Sequence, residues 1–270
     1  MKKIRWDIVI VMCILSLSII HIGRVGLDIM RWAADSKEIK KQIDIINEVT
    51  KIEEVPHSSK VEIIDEENNI PEEDPYWDYI KTDLIDVDFT DLKKINYDTK
   101  GWINVKGTNI NYPFVQALDN EYYLNHSFNK SYNLAGWVFM DYRNTYSDKN
   151  TILYAHGRAD NSMFGSLRNV FTNGWLNNPE NYLIRVSIPT ENSVWQIFSL
   201  YRIPTTNDYL QNEFLSDGEF LDFANMLKNR SYKDFNVSVN KDDKILTLST
   251  CYDMSEKVVV HAKLIKREIK

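Results

Sequence analysis

Residues Ile8 to Gly23 form an uncharged apolar run, IVIVMCILSLSIIHIG, and Lys2, Lys3 and Arg5 precede it. A helix there has no polar face to turn toward water, and a basic flank favours an N terminus on the cytoplasmic side. With Val25 to Ile29 extending it, the run approaches the roughly 20 residues that cross a bilayer. It predicts a membrane anchor within residues 1–30 and an exported remainder. A cleaved signal peptide is the alternative, and no clear small-x-small cleavage site follows the run.

Beyond the anchor the pattern changes. Ile39, Ile43, Ile46 and Val49 recur at helical spacing among charged residues, which predicts an amphipathic helix. From Glu53 to Asp74 the chain turns acidic and carries Pro56 and Pro71, with Pro75 just after, so a mobile linker is expected there. Residues 31–75 are thus read as a helix and an acidic spacer, ahead of a single domain over residues 76–270.

Within that domain, short runs of apolar and alternating residues dominate. Gly101 to Val105 and Asn109 to Val115 read as strands joined into a hairpin through Lys106 and Gly107. Further strands are expected at Gly136 to Met140, Thr151 to Tyr154, Tyr182 to Ile188, Val194 to Ile203, Lys244 to Thr250 and Val258 to Ile265. Eight short strands with turn residues between them predict a mainly β fold closed into a barrel. Helical spacing marks Thr90 to Ile95, Met163 to Val170 and Phe214 to Leu227 as added helices.

Composition removes several function classes. A formal net charge of -7 and a pI near 5.3 leave no basic field for nucleic acid. No glycine-rich phosphate-binding motif is present, and the histidines lack metal-ligand spacing, so no metal or other cofactor is expected. The chain has two cysteines, and Cys13 lies in the anchor, so the domain holds one thiol and no internal disulfide. That thiol, Cys251, ends the apolar strand Leu246-Thr247-Leu248-Ser249-Thr250. A second strand, Ile152-Leu153-Tyr154-Ala155, delivers His156 in the same way. Thiol and imidazole at the ends of two strands are the parts of an activated nucleophile.

These segments resemble those of the class B sortases. The resemblance rests on Thr247-Leu248-Ser249-Thr250-Cys251, on Tyr154-Ala155-His156, and on Val258-Val259-Val260-His261-Ala262-Lys263-Leu264. Gly101-Trp102-Ile103, Asp119 to Leu124, Gly136 to Asn144 and Met163-Phe164 add to it, so it covers the chain from Tyr76 to the C terminus. It implies an eight-stranded closed barrel with N-terminal helices and a helix between the sixth and seventh strands, which Phe214 to Leu227 would supply.

The resemblance also implies an activity, that of a membrane-anchored cysteine transpeptidase of Gram-positive bacteria. Such an enzyme cleaves an NPxT-type sorting signal on a secreted protein and transfers the protein through a thioester to a peptidoglycan amine. Cys251 takes the nucleophile's role and His156 the general acid–base role. A thiol is mostly protonated at neutral pH, so a cation or base beside it must favour the thiolate. Asn120, Leu124, Tyr154 and Ser249 fall where the family contacts its substrate. His126 and His261 read as structural.

One position departs from the family. The arginine expected at the start of the last strand is replaced by Lys257, after a short loop from Tyr252 to Glu256. Lysine is a point charge where arginine is a planar fork. Three readings follow: Lys257 fills the slot, Arg158 reaches in instead, or activity is largely lost and the fold serves as a signal-binding module. A pilin-polymerising enzyme is a further alternative, with Asp74-Pro75-Tyr76-Trp77 as a weak lid-like motif.

Overall fold

Eight strands close on themselves. In the computed structural model, which describes residues 5–56, 61–64, 74–253 and 255–270, the chain runs through α1 (Trp6–Val49), β1 (Ile52–Val55), β2 (Val61–Ile63), α2 (Tyr76–Tyr79), β3 (Leu84–Val87) and α3 (Thr90–Ile95) before entering the barrel. It continues with β4 (Thr99–Val105), β5 (Asn111–Val115), β6 (Phe139–Met140), β7 (Asn150–Tyr154), α4 (Asn173–Leu176), β8 (Leu183–Ile188), β9 (Glu191–Pro204), α5 (Asp217–Asn229), β10 (Ile245–Cys251) and β11 (Glu256–Ile269). Hydrogen-bonded neighbours follow the order β10-β7-β6-β5-β4-β8-β9-β11, and β11 pairs back onto β10 to complete the ring. The expected eight-stranded barrel is therefore present, and α5 lies between its sixth and seventh strands, β9 and β10.

Closure leaves one face of each strand inside. Ile103, Phe114, Leu153, Leu246, Leu248, Val258 and Val260 belong to one continuous buried core. The outer face of the β9–β10–β11 wall carries a second cluster, in which Phe220, Phe223, Ala224 and Leu227 of α5 cover Phe198, Tyr201, Ile245 and Val259. The α5 helix begins at its cap: the Ser216 hydroxyl accepts from the Glu219 amide, so Phe214 and Leu215 precede it. The helical spacing at Met163 to Val170 is realised as a 3₁₀ helix, Gly165–Phe171, and only Phe139–Met140 of Gly136 to Met140 forms a strand.

The N-terminal quarter differs from the sequence expectation in two respects. The apolar run and the amphipathic stretch are one helix of 44 residues, α1. Its first half exposes apolar side chains around its circumference, Leu17, Ile19 and Ile22 among them, whereas Ile39 and Ile46 are buried in the core. Gln42 is buried too and donates to Ser127, and Asn133 donates to the Asp35 carbonyl. The expected acidic spacer is also partly structured. Ile52–Val55 pairs with β3, and Val61–Ile63 extends the sheet beside β11. Their few apolar residues gave little periodicity, and the partner strand supplies the order through main-chain bonds. Pro71 and the rest of 57–60 and 65–73 lie outside the described residues.

Candidate active site

Two neighbouring parallel strands deliver the thiol and the imidazole. Pairing of β7 with β10 aligns Tyr154 with Ser249, so two residues further along each chain His156 comes beside Cys251. The Thr250 hydroxyl donates to the Ala155 carbonyl at 2.7 Å and continues the ladder past the last strand pair. Gly157 completes the approach, since a β-carbon built on it would stand 2.0 Å from the Cys251 carbonyl oxygen. No side chain fits between these two segments.

Hairpin register delivers the cation. Cys251 pairs with Lys257, Ser249 with Val259 and Thr247 with His261 across β10 and β11. Directly opposed residues share a face, so Lys257 stands on the side of the hairpin where the thiol lies. Its Nζ donates to Cys251 Sγ at 3.0 Å. The turn is short because Asp253 accepts from the Ser255 and Glu256 amides. These bonds outweigh the small desolvation cost and hold its carboxyl below the ordinary value.

His156 is held from its other side. Its Nε2 lies 2.7 Å from the Leu124 carbonyl, and because a carbonyl only accepts, Nε2 bears the proton and the neutral ring's lone pair is on Nδ1. Room for this contact comes from Gly136, at φ +61°, where a β-carbon would meet the Leu124 carbonyl at 2.9 Å and the imidazole edge at 3.1 Å.

All four expected substrate contacts line one cleft of about 410 Å³ together with Cys251, His156 and Lys257. Three of them are engaged inside the protein. Asn120 donates to Asp141 and accepts from the Tyr142 amide. The Tyr154 hydroxyl donates to the same carboxylate at 2.9 Å, and the Ser249 hydroxyl is paired with the Tyr209 hydroxyl at 3.0 Å. Leu124 is 40% exposed and leaves its side chain to the cleft.

The group these contacts converge on was not singled out from the sequence. Asp141 is fully buried, and Arg143 holds it through Nε and Nη2 at 2.9 and 2.8 Å. Desolvation works to raise its carboxyl, but the bonds from Arg143, Tyr154 and Asn120 prevail and keep it below the ordinary value. The Arg143 guanidinium also donates to the Leu210 carbonyl. The third cleft wall, Thr205 to Asn207 with Tyr209 and Leu210, is therefore tied to the other two. An Asp-x-Arg pair following a strand was the available signal.

Arg158 does not reach this cleft. Its guanidinium donates to Ser36 of α1 and to Asp160, and its Nε to Ser162. Among the described residues, Lys257 is the one Lys or Arg lining the cleft. His126 and His261 are committed elsewhere: His126 stacks on Tyr122, and His261 is fully buried between Tyr201 and Thr247. Among the described residues no group of three or more His, Cys, Asp or Glu side chains is arranged to hold a metal.

The sortase-domain family model matches residues 103–265 of this chain. The chain belongs to the sortase family. Sortase B of Listeria monocytogenes is 36% identical over 183 residues, covering 66% of this chain and 74% of that protein. Sortase B of Staphylococcus aureus is 35% identical over 184 residues, 66% of this chain and 75% of the relative. The 2.0 Å crystal structure of the S. aureus protein superposes with a TM-score of 0.62 at 36% identity, over 66% of this chain and 86% of that one. A Bacillus anthracis structure described as similar to sortase B has a TM-score of 0.66 at 32% identity, over 88% of this chain and 98% of its own. This sortase is thus of class B, a cysteine transpeptidase on a closed barrel with added helices.

Proposed function

We propose that this sortase cleaves an NPxT-type sorting signal after its threonine through a thioester on Cys251 and passes the secreted protein to a peptidoglycan amine. The observation that carries the reading is the Lys257 ammonium 3.0 Å from the Cys251 sulfur, in the cleft that also holds His156. This fixed donor holds the sulfur in place, and it stands near where charge grows on the scissile carbonyl oxygen.

Sulfur attacks the threonine carbonyl carbon, and the tetrahedral adduct collapses with loss of the leaving amine. With Nε2 facing Leu124, His156 takes the thiol proton of Cys251 on Nδ1 and passes that proton to the leaving nitrogen. Release of the C-terminal fragment leaves the acyl group on sulfur, activated enough for an amine to take.

In this reading α1 is the single-pass anchor. It is long and apolar enough to cross a membrane, with a mean hydropathy of 2.1 in its most apolar window. Because the same helix docks on the domain through Ile39 and Ile46, the catalytic end is carried at a set distance from the bilayer on the outer face.

Product analysis tests the proposal. The full chain in detergent, given an NPxT-type peptide and an amine, is expected to yield the amine-capped N-terminal fragment, with none from Cys251→Ala. Peptide binding without product from the native chain would support the signal-binding module instead.

A further inference from the structure

A second cleft, of about 480 Å³, backs onto the catalytic hairpin. Arg168, Arg202 and Arg230 line it with Phe171, Tyr232 and Tyr252, in a chain whose formal net charge is -7. The hairpin tip divides the two clefts: Cys251 and Lys257 line the first, Tyr252 and Glu256 the second. The same division holds at the neighbouring loop, where His156 lines the first cleft and Arg168 donates to the Gly157 carbonyl at 2.8 Å.

Its arginines are unequally paired. Asp208 takes both Nη atoms of Arg230, at 3.0 and 2.5 Å. Arg202 has Glu256 at 3.9 Å with 45% of its side chain exposed, and its guanidinium lies over the Tyr252 ring at 4.6 Å. Arg168 makes no ion pair among the described residues, and its contact is the Gly157 carbonyl. Asp253 also acts on Arg202 through its charge, yet Arg168 and Arg202 retain donors for an incoming anion. Guanidinium presents a fork that suits an oxyanion, and aromatic rings line the cleft beside it.

We propose that this second cleft binds an oxyanion carried by the acceptor amine, so that the acceptor approaches Cys251 from the Tyr252 side while the sorting signal occupies the first cleft; this rests on the transpeptidase reading above. A transferase needs a place for its second substrate that the first does not fill. The amine nitrogen's lone pair bonds to the thioester carbonyl carbon, the C–S bond breaks with its electrons returning to sulfur, and the proton lost by nitrogen passes to His156.

Two short peptide acceptors that differ only in their C terminus, carboxylate or carboxamide, test this with the full chain in detergent. The carboxylate acceptor is expected to have the lower KM, and Arg202→Gln and Arg202→Glu to raise that KM by about tenfold or more while leaving the carboxamide's unchanged. Inorganic pyrophosphate is the second arm. If it competes with both acceptors, less well in Arg202→Gln, while the two do not differ, the recognised oxyanion is a phosphate. Equal KM values with no competition would overturn the inference. Equilibrium binding of the fluorescently labelled acceptors, read as a Kd ratio in native and variant chains, decides the question even without turnover. Failure of the native chain to cleave the signal would sink the transpeptidase reading instead.

Discussion

Lys257 Nζ and Cys251 Sγ stand 3.0 Å apart as the terminal cross-strand pair of the β10–β11 hairpin. Register holds them together, so the cation is built into the barrel. Lys257→Ala is expected to lower kcat/KM for signal cleavage by about 10² to 10³, the cost of one preorganised electrostatic contact. Lys257→Arg keeps the charge and should fall by less than about tenfold. Steady-state kinetics of the two variants checks this; equal losses would mean that the charge is not what matters.

Gly157 makes a different prediction. A β-carbon there falls 2.0 Å from the Cys251 carbonyl, so Gly157→Ala must part the His156 loop from the end of β10. A displacement of about 1 Å in a reacting pair costs on the order of 10² in rate. The variant should keep the native circular dichroism spectrum while losing that factor in kcat.

Asp141 joins three stretches of the cleft wall, through Asn120, Tyr154 and Arg143. Asp141→Asn removes the buried charge that all three donate to, and should cost about 2 kcal/mol or more in denaturant unfolding. In the proposed reading these walls hold the signal peptide, so its KM is expected to rise more than kcat falls.

His261 sets a pH limit on stability. The Thr247 hydroxyl donates to Asn150 and so accepts from Nδ1, while Tyr201 donates to Nε2, which fixes a neutral ring. Burial, and then the charge of Arg230, brings this imidazole down to about 3 from 6.5. Below pH 6.5 the unfolded chain binds a proton that the folded chain refuses. The stability contributed is therefore complete above that pH and is lost toward pH 3, at about 1.4 kcal/mol per pH unit. Denaturant midpoints at pH 7, 5.5 and 4 should fall along this slope, and His261→Gln should flatten it.

The barrel strands were legible in the sequence because they follow from alternation, which also places Cys251 and His156 at strand ends. Leu246 and Leu248 face the core, so Thr247, Ser249 and Cys251 face outward. Lys257 was reached through the resemblance, as the residue standing where the family has an arginine. Other features depend on distant partners. Asn120 and Tyr154 stand 21 and 13 positions from Asp141, and the one local signal for it is Arg143, two residues on. Arg158 stands two residues from His156, yet Ser36 and Asp160 draw it toward α1. The strand Val61–Ile63 has only three residues, and β11 beside it supplies the order.

The central claim is that Cys251 carries the acyl group. Intact-mass spectrometry of the full chain, acid-quenched after mixing with an NPxT-type peptide in the absence of amine, measures it directly. The predicted result is an adduct equal to the peptide through threonine, on the fragment that contains Cys251, removed by hydroxylamine and absent from Cys251→Ala. Cleavage of the peptide by Cys251→Ala, or an adduct on any other residue, would contradict it.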